Sequence, residues 1–183
     1  SRVVVYISDS ISGRIREDLM DDDFSSVWVE LGTPGAGKKI LVANIYRDHQ
    51  WMNQGQDKSS KSDASVMKRW LVYLDQWTKA LDSGSEVHAL GDFNINSNTL
   101  LGKNGSQQQP LVNKLLQKIV PLGVSQCAPK HTWTPQGNQR GQPSGLDHHW
   151  TNRPDKLSEV MALTVGQSDH KLFSIELVGV KKT

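Results

Sequence analysis

Three short strings in this chain hold side chains that could do chemistry together: GDFN at 91–94, SGLDHHW at 144–150 and SDH at 168–170. Between them they offer Asp92, Asn94, Asp147, Asp169 and His170. Carboxylates, an amide and an imidazole gathered at one spot can orient water, bind a hard cation and face a phosphate near neutral pH. In GDFN, Asp92 leaves a buried strand after Gly91, and Asn94 points to the same side if the strand continues. An Asp and Asn so spaced also close turns, so no single string carries the argument. Their order and their company do. Asp147 is suited to accept a hydrogen bond from an imidazole and fix its tautomer, as in Asp–His pairs generally. His148 and His149 cannot both face the site, because successive strand side chains alternate, and they read as structural or rim residues.

The elements that must position these strings follow from composition and period. Residues 2–7 (RVVVYI), 26–31 (SVWVEL) and 40–46 (ILVANIY) are β-branched or aromatic runs between turn residues, which predicts three strands in a meander. Polar residues 49–65 predict a surface loop. Met67, Trp70, Leu71, Leu74, Trp77 and Leu81 recur at helical spacing over 66–82, with the two tryptophans on the core side. Strand 86–90 then delivers GDFN. Leu111, Leu115, Leu116 and Ile119 mark a second helix that Pro121 and Gly123 stop. Short strands are expected near 124–127, 131–134, 147–151, 160–165 and 172–178. Helices outside a strand-rich core predict an α+β fold built as a layered α/β sandwich.

Composition narrows the classes of function. The 183 residues suit one domain and a sizeable core. No stretch approaches the ~18 apolar residues of a membrane span, and the opening apolar run is too short for a secretory signal. A lone Cys127 cannot form an internal disulfide, so an intracellular, reducing compartment is expected. A net charge of only +2 places any nucleic-acid contact in a local groove. GTPGAGK at 32–38 imitates a phosphate-binding loop, but Lys39 stands where a hydroxyl is needed and a strand follows where a helix is needed. It reads as a hairpin loop. His49, His88 and His131 lack the spacing of a zinc site. Lys38-Lys39, Lys181-Lys182 and Asp21-Asp22-Asp23 read as solvated charge.

The order Gly-Asp-x-Asn, Ser-x-Leu-Asp-x-x-Trp and a near-terminal Ser-Asp-His resembles the endonuclease/exonuclease/phosphatase superfamily, and within it the endonuclease domain of non-LTR retrotransposon proteins. That resemblance implies a four-layer sandwich of two packed, mainly antiparallel sheets flanked by helices. It implies a magnesium-dependent phosphodiesterase that nicks DNA and leaves a 3′-hydroxyl able to prime reverse transcription. ILVANIYRD is similar to the family's strand ending in Asn-x-Tyr, which puts Tyr46 at the phosphate and Arg47 at the substrate, although Asp48 stands where Pro is usual. By the same resemblance Asp92 and Asn94 serve the water and the scissile phosphate, Thr132 and Trp133 of HTWTP border the DNA groove, and Ser144 contacts substrate. Asp147 stands behind His170, and Asp169 is a metal-side carboxylate.

One departure bears on activity. The family begins with an Asn-bearing strand and a second strand ending in the Glu that is its principal magnesium ligand, and nothing here matches either. The chain is expected to enter the fold at its third or fourth strand, with weak or absent magnesium binding and an exposed sheet edge open to self-association. Glu30 in WVELG is set aside as a substitute because its strand has a counterpart in the family. DNA, and a reverse transcriptase domain of the same polypeptide, are the implied partners, in a nuclear location. The alternatives are an inactive remnant that binds nucleic acid or protein, and a phosphatase of the same superfamily.

Overall fold

The computed structural model describes residues 3–21, 25–32, 39–47, 60–97, 109–128, 131–136, 142–164 and 166–177. Eight strands and two helices follow in the order β1 (Gly13–Ile15), β2 (Ser26–Leu31), β3 (Ile40–Tyr46), α1 (Ser60–Asp82), β4 (Glu86–Asp92), α2 (Gln109–Ile119), β5 (Ser125–Gln126), β6 (Asp147–Thr151), β7 (Leu157–Leu163) and β8 (Leu172–Leu177). Six of the strands form a mixed sheet in the order β1-β2-β3-β4-β6-β5, and β7 and β8 form a separate antiparallel pair. The arrangement is α+β and consistent with the expected sandwich.

Period two divides the sheet into two faces. Leu41, Ala43 and Ile45 on β3 lie beside Val87, Ala89 and Gly91 on β4. With Trp28 and Trp150, all of these but Gly91 form one core against Trp70, Tyr73, Leu74, Trp77 and Ala80 of α1 and Val112, Leu115 and Ile119 of α2. Trp70 and Trp77 are buried as their spacing predicts, and Trp77 meets Trp28 edge to face at 6.1 Å. The helices therefore cover one face, leaving the other to carry Tyr46, Asp92 and Asp147.

Several expectations shift. The apolar run 2–7 forms no strand over its described residues, and Val4 and Tyr6 are exposed. β-branched residues fit a pleated surface only where a partner supplies one, and β2 takes Gly13–Ile15 instead. Helix α1 begins at Ser60, inside the segment expected to be loop. Its apolar stripe starts only at Met67, so the hydrophobic period cannot see the first two turns, and no Gly or Pro interrupts them. Residues 131–134 form no strand, only two isolated bridges, both at Trp133, to Ser144 and His170. β7 starts at Leu157, three residues earlier than expected. Pro121 sits within a 3-10 turn at Val120–Leu122, and Gly123, at φ 76°, ends it. The GTPGAGK loop lies outside the described residues beyond Gly32, but its flanking strands pair antiparallel from Leu31↔Ile40, as a hairpin requires.

Gly91 is the tightest point of the sheet. Its φ is 137°, and a Cβ there would fall onto the Ile45 carbonyl, 2.8 Å from both Ile45 C and N. Gly91→Ala should therefore cost roughly 3 kcal/mol or more through combined strain and overpacking. Gly84, at φ 69° with open space around it, should cost about 1 kcal/mol on the same substitution. Urea unfolding of both variants checks the contrast, and equal losses would remove the close approach as the cause.

Candidate active site

The site grows from strand direction. β3 and β4 run parallel, so Tyr46 and Asp92 are register partners at their shared C-terminal end. β6 runs antiparallel to β4 and starts at that same end, which sets Asp147 opposite Asp92. Directly paired residues share a face, so three neighbouring strands deliver Tyr46, Asp92 and Asp147 side by side, about 5 Å apart per step. Their chain neighbours Ile45, Gly91 and His148 turn to the core.

His170 completes the row from the turn between β7 and β8. Its Nδ1 lies 2.9 Å from Asp147 Oδ2 and 3.2 Å from Oδ1. Burial lowers the imidazole pKa, and the hydrogen bond to Asp147 with the charges of Asp147, Asp92 and Asp169 outweighs it, leaving His170 above its ordinary value. All three carboxylates are thus close enough to act on one imidazole. Asp169 accepts a hydrogen bond at Oδ2 from Trp133 Nε1 at 3.1 Å, and Trp133 bridges in backbone to both Ser144 and His170.

GDFN departs from simple strand continuation. β4 stops at Asp92, and Asn94 takes the left-handed conformation at φ 48°, which Asn tolerates better than most residues. Its backbone N–H donates to Asp92 Oδ1 at 2.8 Å, and its Nδ2 donates to Asp92 Oδ2 at 3.1 Å and to the Arg47 carbonyl at 2.7 Å. Asn94 is buried, so the pair is a locked turn that aims the Asp92 carboxylate.

Three residues expected at the substrate are buried. Arg47 is fully buried, and its guanidinium donates to the carbonyls of Phe93 and Asn94. Burial lowers its pKa to about 10 against the opposing charge of Asp92. Thr132 is also fully buried, its hydroxyl accepting the N–H groups of Leu146 at 3.1 Å and Asp147 at 2.9 Å. Ser144 is buried, with its backbone paired to Trp133. All three side chains are turned into the protein rather than toward solvent. Trp133 is half-buried between Ser144 and His170, on the edge of the row. His148 and His149 take opposite faces, as alternation demands, and both are buried. His148 Nε2 donates to the carbonyls of Ile95 at 2.8 Å and Gly145 at 3.2 Å, and its ring stacks on Phe93 at 5.1 Å. It ties GDFN to SGLD, a role that only its place on the inward side of an alternating strand foreshadows. His149 Nε2 is hydrogen-bonded to His88 Nδ1 at 3.1 Å.

Among the described residues no group of three or more His, Cys, Asp or Glu side chains converges as a metal site. Asp92 and Asp169 are the carboxylates nearest such a role; each already accepts a hydrogen bond, and magnesium held through so few carboxylates would need substrate oxygens and water to complete its shell. Glu30 does not help. It faces Arg14, Arg16 and Lys39 at 2.9–3.5 Å, beside a cleft of about 520 Å³ at the opposite end of the sheet.

No family model and no curated protein matches the sequence. Solved structures do match in fold. The endonuclease domain of TRAS1, a telomere-specific non-LTR retrotransposon, superposes with a TM-score of 0.62 at 18% identity, over 93% of this chain and 71% of that one. The 3′ phosphatase NExo from Neisseria, bound to product DNA hairpin, gives 0.58 at 13% over 93% and 71%. An AP endonuclease from Archaeoglobus fulgidus gives 0.56 at 16% over 92% and 70%. The chain shares its fold with these proteins, and at these identities the likeness is one of fold, in line with the resemblance its three strings carry. Among the described residues no helix is long and apolar enough to cross a membrane.

Burial of the two site-supporting histidines gives a pH prediction. His148 is lowered from 6.5 to about 4 and His149 from 6.5 to about 3, burial being the main cause in each. Between the folded and unfolded values the unfolded chain binds more protons at these two groups, so their contribution to stability is full above pH 6.5 and falls as pH drops. His148 alone should remove roughly 3 kcal/mol by pH 4. Carboxylates such as Glu30, ordinarily at 4.5 and lowered by Arg14, act below that value, so urea midpoints between pH 6.5 and 5 isolate the histidines. A flat profile there would contradict neutral burial.

Proposed function

We propose that this chain is a phosphodiesterase domain acting on DNA, with the reacting phosphate held over the row Tyr46, Asp92, Asp147 and His170. The observation that carries the reading is the Asp147–His170 pair at 2.9 Å, set beside Asp92 on adjacent strands. An imidazole whose Nδ1 is committed to a carboxylate presents Nε2 outward, where it can hold a phosphoryl oxygen or take a proton from attacking water. Asp92, aimed by Asn94, lies one strand away and orients that water, and Tyr46 on the next strand donates its hydroxyl to a phosphate oxygen. In-line displacement needs this kind of positioning more than covalent help.

The reaction expected is a nick leaving a 3′-hydroxyl, which could prime a reverse transcriptase in the same polypeptide. The shared fold of the TRAS1 endonuclease supports that finer reading, as does the motif order. Magnesium is the expected cofactor by the same resemblance. Asp169 is the candidate for its carboxylate, and the described residues hold it weakly at best.

The test is nicking of supercoiled plasmid with magnesium in excess, followed by analysis of the new ends. His170→Ala should lower the rate by about 100-fold or more, since a positioned acid–base group contributes that much. Asp147→Asn should reproduce part of the loss by freeing the imidazole. Nicking by His170→Ala at the unmodified rate would defeat the assignment, and release of phosphate from DNA 3′ ends without nicking would favour the phosphatase alternative.

A further inference from the structure

The Asp147–His170 pair is held by a residue that touches neither reacting group, and we infer that Thr132 is a positioning residue for it. The inference rests on the function proposed for that pair. Thr132 is 0% exposed, so its hydroxyl serves only the protein. That one oxygen accepts from two consecutive amides, Leu146 at 3.1 Å and Asp147 at 2.9 Å. Two N–H groups converging on one acceptor fix the 146–147 peptide plane, and with it the direction in which the Asp147 side chain leaves the backbone.

The same residue reaches the other string. Its carbonyl accepts the Lys171 N–H at 2.7 Å, one residue beyond His170, while its own N–H donates to the Ser144 carbonyl at 3.0 Å. Two residues on, the Thr134 N–H donates to the Asp169 carbonyl at 2.9 Å. Segment 132–134 therefore ties SGLD to SDH: the Thr132 hydroxyl holds the SGLD side, and the Trp133 indole, through Asp169 Oδ2, adds a side-chain tie to SDH. A carboxylate and an imidazole supplied by separate turns keep a 2.9 Å bond only if both turns are referred to a common frame. A threonine hydroxyl suits this because its β-branch stiffens χ1, so the acceptor stays where it is put.

Valine matches threonine in shape and lacks only the acceptor, whereas serine keeps it. For a chain that nicks DNA, Thr132→Val should lower kcat by about 10- to 100-fold with KM changed less than about twofold, the size expected for misplacement without lost substrate contact. Thr132→Ser should stay within about threefold of the unmodified rate. Thr78→Val, which removes a hydroxyl bonded to Leu74 on α1 far from the row, should leave kcat unchanged. Independently of activity, long-range ¹H–¹⁵N spectra at alkaline pH should show the proton of His170 on Nδ1 in the unmodified and serine chains, and a mixture of tautomers in the valine chain. If valine does not fold, Thr132→Cys, with a thiol that accepts weakly, carries the same comparison. Absence of nicking by the unmodified chain would overturn the proposed function while the spectra still decide the role of Thr132. A valine or cysteine chain keeping the Nδ1 tautomer would overturn the inference, as would one keeping full kcat in an active background.

Discussion

Everything at the candidate site depends on the parallel pairing of β3 with β4. Parallel strands end together, and because β6 returns antiparallel from that end, three side chains from three distant parts of the sequence stand in one row. The pairing is possible only because residue 91 has no side chain, since the Ile45 backbone occupies the space a Cβ would take. Gly91 thus belongs to the site as much as Asp92 does. A strand that could not close on Ile45 would move Asp92 away from both Tyr46 and Asp147. The crossover through α1 makes the parallel pair affordable, because the helix covers the face that the row does not use.

Behind the row, buried polar groups do what surface loops do not. Arg47 binds two carbonyls of the GDFN turn, Asn94 returns a bond to the Arg47 carbonyl, and His148 joins residues 95 and 145. An isolated buried charge or imidazole is unfavourable, and such groups persist where hydrogen bonds satisfy them and specify one geometry. The cost appears in the lowered pKa of His148 and Arg47, and the benefit is that loops, ordinarily mobile, hold carboxylates at fixed distances. The charge pattern follows: Asp92, Asp147 and Asp169 act together on His170, so an anion approaching them needs compensating positive charge from the imidazolium or from a cation.

The chemistry of the site was more legible than its supports. GDFN, SGLD and SDH announce carboxylates and an imidazole by type and order, and β2, β3 and β6 match their expected bounds because each has a partner on both sides. The run 2–7 is as β-prone as any of them, yet the strand beside β2 is Gly13–Ile15, since pairing is decided by tertiary position rather than propensity. The first turns of α1 were hidden because polar turns leave no hydrophobic period to read.

Residue type misleads most where a polar side chain points inward. Arg47, Thr132 and Ser144 have the chemistry of a phosphate groove, and their positions next to Tyr46, next to Trp133 and three residues before Asp147 encourage that reading. Alternation gives a warning for one of them. If Tyr46 faces the row, its neighbours face elsewhere, and an arginine facing the core must spend its donors on carbonyls. For Thr132 no period exists, because the segment belongs to no strand, and only the convergence of two amides on its hydroxyl reveals its work. A polar residue can therefore hold a candidate site together from one position beside a half-buried aromatic without facing solvent itself; what separates the two roles is whether its hydrogen bonds end on the protein or in the solvent.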